Sequence, residues 1–78
     1  MLKTIYEVEL QQLKNWDEVQ FTKEYNGFDK IETAGHGYLV VPTGHANYAT
    51  ASKIAGFKGN KAVYLEEDCE LTDFFNAI

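Results

Sequence analysis

A chain of 78 residues with 45% hydrophobic and 14% aromatic side chains and one proline has material for one core and not for two, and is too apolar for a disordered tail. Twelve acidic residues against seven lysines and no arginine leave a net charge of −5, the wrong sign for holding phosphates, so direct nucleic-acid binding is not expected. A single cysteine, Cys69, excludes an internal disulfide and no leader pattern opens the chain, so the expected compartment is the cytoplasm; the longest apolar run, Tyr38–Pro42, is far short of the roughly 20 residues of a membrane-spanning helix.

The first segment carries two patterns. Thr4, Tyr6, Val8 and Leu10 alternate as in a strand, whereas Leu2, Ile5, Tyr6, Leu13 and Trp16 share one helical stripe. Thr4 followed three residues later by Glu7 has the form of a capping box, which favours the helix, although Glu9 interrupts the stripe. Val19, Phe21 and Tyr25, separated by polar residues, then lead into Asn26-Gly27 and on to Phe28 and Ile31. Both turn positions tolerate positive φ, so this stretch predicts a tight hairpin. Tyr38–Val41 predicts a third strand that stops at Pro42, where the backbone donor is missing.

Thr43 is the expected cap of a second helix running through Ala55, with small residues for close packing on a sheet and Gly56 as a left-handed terminator. Lys61–Leu65 predicts a fourth strand after a Gly59-Asn60 turn. Leu71, Phe74, Phe75 and Ile78 stand at i, i+3, i+4 and i+7 and predict a final amphipathic helix. Burial of that face at about 1.5–3 kcal/mol per large side chain is the largest single stabilising contribution in sight. The expected fold is α+β: a small antiparallel sheet of three to four strands with two to three helices.

Two histidines and one cysteine are the borderline metal ligands of the chain. His36 lies between Gly35 and Gly37, where the backbone can bend and aim the ring, and Cys69 stands at the start of the final helix, opposite its apolar stripe. A thiolate, one or two imidazoles and a carboxylate make a tetrahedral zinc set, so His36, His45, Asp68 and Cys69 are candidate ligands of a structural zinc ion. The competing expectation is a turn histidine, an Asp68 helix cap and solvated glutamates. A thiol–imidazole pair of Cys69 with His36 would be the core of a small metal- or thiol-dependent enzyme, although so short a chain has little material for a cleft and an oxyanion hole.

Residues 1–65 carry seven acids and seven lysines, so the whole excess charge comes from Glu66, Glu67, Asp68, Glu70 and Asp73. Five carboxylates over about two helical turns are either a solvated helix face or a negative patch for a basic groove on a protein that handles nucleic acid.

Thr33-Ala34-Gly35-His36-Gly37, then Pro42, then Tyr64 with Glu66-Glu67-Asp68-Cys69-Glu70 carry a likeness to a known family. Over Trp16 to about Phe75 the chain resembles an uncharacterised domain of plasmid, phage and integrative-element proteins. The resemblance implies a mobile-element protein of the host cytoplasm and offers no activity to transfer. By analogy with small acidic phage proteins, the expected function is a non-enzymatic inhibitor of anti-CRISPR or antirestriction type. It would bind a host nuclease or defence complex protein through Glu66, Glu67, Asp68, Glu70 and Asp73. The alternatives are the His36–Cys69 enzyme and a regulatory interaction module of unknown partner.

Overall fold

A computed structural model describes residues 4–14 and 18–78. Among these residues three helices, α1 (Ile5–Lys14), α2 (Tyr48–Ile54) and α3 (Glu70–Ala77), accompany five strands: β1 (Val19–Tyr25), β2 (Phe28–Thr33), β3 (Gly37–Pro42), β4 (Phe57–Lys58) and β5 (Ala62–Glu66). The strands form one antiparallel sheet in the order β1-β2-β3-β5-β4. The α+β class holds, with five strands in place of three to four. The additional strand is β4, two residues long, too short to show a period of its own.

The sheet is covered on both faces, which explains its burial pattern. Phe28, Leu39, Val41, Val63 and Leu65 pack with Ala51, Ala55, Leu71 and Phe74 on the side of α2 and α3. On the other side Val19, Ile31, Tyr38, Val40, Ala62 and Tyr64 pack with Leu10 of α1. The central strands β3 and β5 are therefore buried on both faces and read as continuous apolar runs, whereas β1, at the edge, is mostly exposed. The hairpin forms as expected: Asn26 and Gly27 adopt φ of 51° and 87°, and Tyr25 pairs with Phe28 across the turn.

The first helix begins on the expected capping box, in which Thr4 N–H donates to Glu7 Oε1 at 2.8 Å and Glu7 N–H to Thr4 Oγ1 at 3.1 Å. Its buried stripe is differently phased from the expected one. Leu10 is fully buried with Tyr6 and Glu7 beside it, while Ile5 and Leu13 are 59% and 40% exposed; Leu2 and Trp16 lie outside the described residues. Carboxylates cause the rotation: the Thr22 hydroxyl donates to Glu7, and Glu9 has partners on β5, so both flanks of α1 are polar clips around one apolar contact.

The second helix also differs from expectation. Thr43 does not cap it, because the chain first makes two tight turns, with His45 N–H donating to the Pro42 carbonyl and Tyr48 N–H to the His45 carbonyl, both at 3.0 Å. His45 Nδ1 accepts the Asn47 N–H at 3.0 Å, and the helix starts only at Tyr48. Nor is Gly56 left-handed: the helix ends at Ala55 in an extended conformation, φ −64° and ψ 135°, which sends the chain straight into β4.

Candidate partner-binding surface

The acidic run spans the end of β5, a turn and the start of α3. β5 fixes Glu66 opposite Tyr38, and the Glu67 N–H donates to the Gly37 carbonyl at 2.9 Å, which ties the acidic turn to the start of β3. The helix then begins at Glu70 with Cys69 in the capping position and no side-chain cap, so Asp68 is not the cap. Leu71 and Phe74 anchor α3 in the core, and Asp68 and Asp73 face solvent.

The expected five-acid patch separates into two kinds of residue. Glu70 turns back toward the fold: its Oε1 accepts the Gly56 N–H at 3.1 Å and the Glu66 N–H at 2.9 Å. Glu67 accepts a hydrogen bond from Lys30 Nζ. Glu70 and Glu67 are thus structural anchors as well as charges, a correction to the reading of all five as a free binding face. Asp68 and Asp73, with Glu66 half-buried beside them, remain as outward charge.

Lys30 is the residue that organises this end, and its side chain is only 7% exposed. Strand alternation places it on the same face as Phe28, and its ammonium lies 3.0 Å from Glu32 Oε2 as well as against Glu67. Glu32 Oε2 is buried and lies against the Lys30 ammonium as its ion-pair partner. Burial works against the charged lysine, but the bonds and charges of Glu67 and Glu32 outweigh it and raise its pKa. The triad also explains Gly37: a Cβ there would lie 2.8 Å from Glu67 Oε1, 3.0 Å from Lys30 Cε and 3.2 Å from Glu32 Oε2. The visible signal for the triad was a lysine one alternation from Phe28 on a half-buried strand; the long-range approach of Glu67 had none.

The proposed ligands do not converge. His36 precedes β3 and His45 follows it, and a six-residue strand is roughly 20 Å long. The turn holding His36 is fixed by Thr33, whose N–H and hydroxyl donate to the His36 carbonyl at 2.8 and 2.9 Å. The His45 ring sits 4.7 Å from the Phe28 ring. Cys69 is exposed, as its position on the helical wheel implied. Among the described residues no three His, Cys, Asp or Glu side chains come together in a group suited to a metal ion. An open groove of about 420 Å³ runs between α1 and the β4–β5 turn, and a hollow of about 140 Å³ lies beside His45. Neither is lined by His36 or Cys69.

A second carboxylate site was not legible. Glu9 of α1 accepts the N–H groups of Asn60 at 2.7 Å and Lys61 at 3.1 Å and the hydroxyl of Tyr64 at 2.6 Å. Burial works to raise its pKa, but these bonds outweigh it and hold the carboxyl below its ordinary range. Burial, followed by the bond to Glu9 and its charge, pushes the Tyr64 hydroxyl well up. The residue that interrupted the helical stripe is thus the one that fastens α1 to β5.

Comparison with known proteins gives no counterpart: no family model matches the chain, and neither a curated protein nor a solved structure matches it. Among the described residues no helix is long and apolar enough to cross a membrane.

Proposed function

We propose that the protein is a non-catalytic inhibitor from a mobile element that binds a host nuclease or defence complex protein in the cytoplasm, by anti-CRISPR or antirestriction action. The acidic end would occupy a basic surface that otherwise holds nucleic acid. The observation that carries this reading is the outward placement of Asp68 and Asp73 at an end of the sheet whose buried lysine is already engaged by Glu32 and Glu67. Uncompensated charge of that sign attracts lysine and arginine and repels phosphate. The likeness of the His36 and Cys69 segments to a domain of plasmid and phage proteins supplies the context.

The test is phage-plating and plasmid-transformation efficiency in hosts carrying defined restriction or CRISPR systems, with and without the expressed protein. Expression should restore efficiency against at least one system, and Asp68→Lys with Asp73→Lys should abolish the effect while the protein stays folded. Unchanged efficiency against every system, or full protection by the double variant, overturns the reading.

A further inference from the structure

We propose that the β4–β5 turn is a carboxylate-binding nest which α1 fills with its own Glu9, and that it takes from solution a small monocarboxylate with an apolar tail. The head replaces Glu9 and the tail lies in the groove beside α1. The site is at the opposite end of β5 from the acidic run and goes beyond the binding function proposed above.

The donors of the nest are built into the sheet and not into α1. Gly59 N–H donates to the Ala62 carbonyl at 2.9 Å and Thr43 N–H to the Lys61 carbonyl at 3.1 Å, so the turn is closed from within and pinned from the end of β3. Preorganised donors of this kind lose little freedom when a ligand arrives. The third donor, the Tyr64 hydroxyl, belongs to a fully buried side chain. Glu9 Oε1 accepts that hydroxyl at 2.6 Å and the Lys61 N–H at 3.1 Å, and Oε2 accepts the Asn60 N–H at 2.7 Å. A Cβ on Gly59 would overlap the carboxylate, so the glycine keeps the cradle open. When Glu9 leaves, three oriented donors lack an acceptor, a costly state for a buried hydroxyl.

The chemistry of the ligand follows from the surroundings. Two carboxylate oxygens use all three donors, whereas the further oxygens of a phosphate would be turned into a groove walled by Ile5 and Val8. These side chains stand one helical turn apart and are 59% and 43% exposed. The groove holds about 420 Å³, within the range of about 300–1,000 Å³ usual for small-ligand clefts. Residues 1–65 balance seven acids with seven lysines, and Lys61 stands at the rim. The acidic run starts a five-residue strand away, roughly 16 Å against a screening length of about 8 Å at physiological salt, so it does not repel an anion from this end.

Glu9 is a tethered competitor, present at an effective concentration on the order of millimolar, so removing it should strengthen binding. The test is an NMR titration of the isotopically labelled protein and of Glu9→Ala with hexanoate, acetate and hexanol. Hexanoate should shift the amides of Asn60, Lys61 and Tyr64 saturably and bind Glu9→Ala about tenfold or more tightly than the unaltered chain; acetate should bind more weakly and hexanol not at all. Val8→Ser combined with Glu9→Ala should remove the advantage of hexanoate over acetate. If Glu9→Ala lacks native dispersion, Glu9→Gln, whose neutral head holds the donors less firmly, carries the same comparison. Hexanoate binding no tighter once Glu9 is replaced overturns the proposal, as does hexanol binding as well as hexanoate, which would make the groove merely apolar. Equal binding of acetate and hexanoate overturns it too, by leaving the tail without a site. The plating assay judges the inhibitor function separately from every one of these results.

Discussion

Glu9 gathers its partners because Gly59 lets it. A Cβ at Gly59 would overlap the Glu9 carboxylate, and although a glutamate is flexible enough to move away, moving would leave the N–H groups of Asn60 and Lys61 and the Tyr64 hydroxyl without their acceptor. Gly59→Ala is therefore expected to destabilise the protein by about 1–3 kcal/mol, the usual range for lost bonds to a charged acceptor, read from the shift of the urea midpoint. A null shift would mean that water replaces the carboxylate without penalty. The same site sets a pH dependence. A carboxyl whose folded pKa lies below its unfolded value of about 4.3 contributes stability above that value and loses it as pH falls through the lower folded pKa. Glu9→Gln should accordingly flatten the fall in unfolding free energy between neutral and strongly acidic pH, measured by chemical denaturation across that range. An unaltered slope would assign the acid sensitivity to other carboxylates.

At the scale of the element, α1 has an unusual attachment. Among its described side chains Leu10 is the one that is fully buried, flanked by Glu7 to Thr22, Gln11 to the Val19 N–H at 3.0 Å, and Glu9 to β5. Leu10→Ala removes the apolar centre and should cost about 2–5 kcal/mol. Because the core on the α2 and α3 side is a separate cluster, hydrogen exchange should accelerate most in residues 5–14, with the amides of β3 and β5 following only by the global loss. Uniform acceleration would show that the two faces unfold as one unit. This attachment also explains how far the sequence could be read. The hairpin, the apolar central strands and α3 were legible because each follows from a local rule: positive φ at Asn26-Gly27, runs buried on both faces, a stripe at helical spacing. The facing of α1 was not, because it depends on carboxylates meeting backbone donors some fifty residues away, a pairing that leaves no periodicity. The start of α2 was missed because turns through His45 satisfy the backbone before any helix can.

For the whole molecule, the sequence located the excess charge correctly but not its division of labour. A run of acids reads as a single patch until the fold shows which of them meet partners: Glu70 reaches back to Gly56 and Glu66, and Glu67 reaches Lys30. His36, His45, Asp68 and Cys69 formed a plausible ligand set by chemistry alone, and strand length then separated the two histidines. Charge reversal distinguishes charges that hold the fold from those offered outward. Asp68→Lys with Asp73→Lys changes the net charge from −5 to −1 yet touches only exposed positions, so stability should stay within about 0.5 kcal/mol per site. Glu70→Lys changes the charge by half as much but strips two backbone N–H groups of their acceptor, for an expected loss of about 1–3 kcal/mol. In a domain of this size each kcal/mol lowers the melting temperature by roughly 4–8 °C. Thermal melts should therefore rank Glu70→Lys well below a double variant that carries twice its change in charge. The opposite order would mean that mutual repulsion, relieved by any lysine, governs this end of the molecule, and that the hydrogen bonds of Glu70 contribute little.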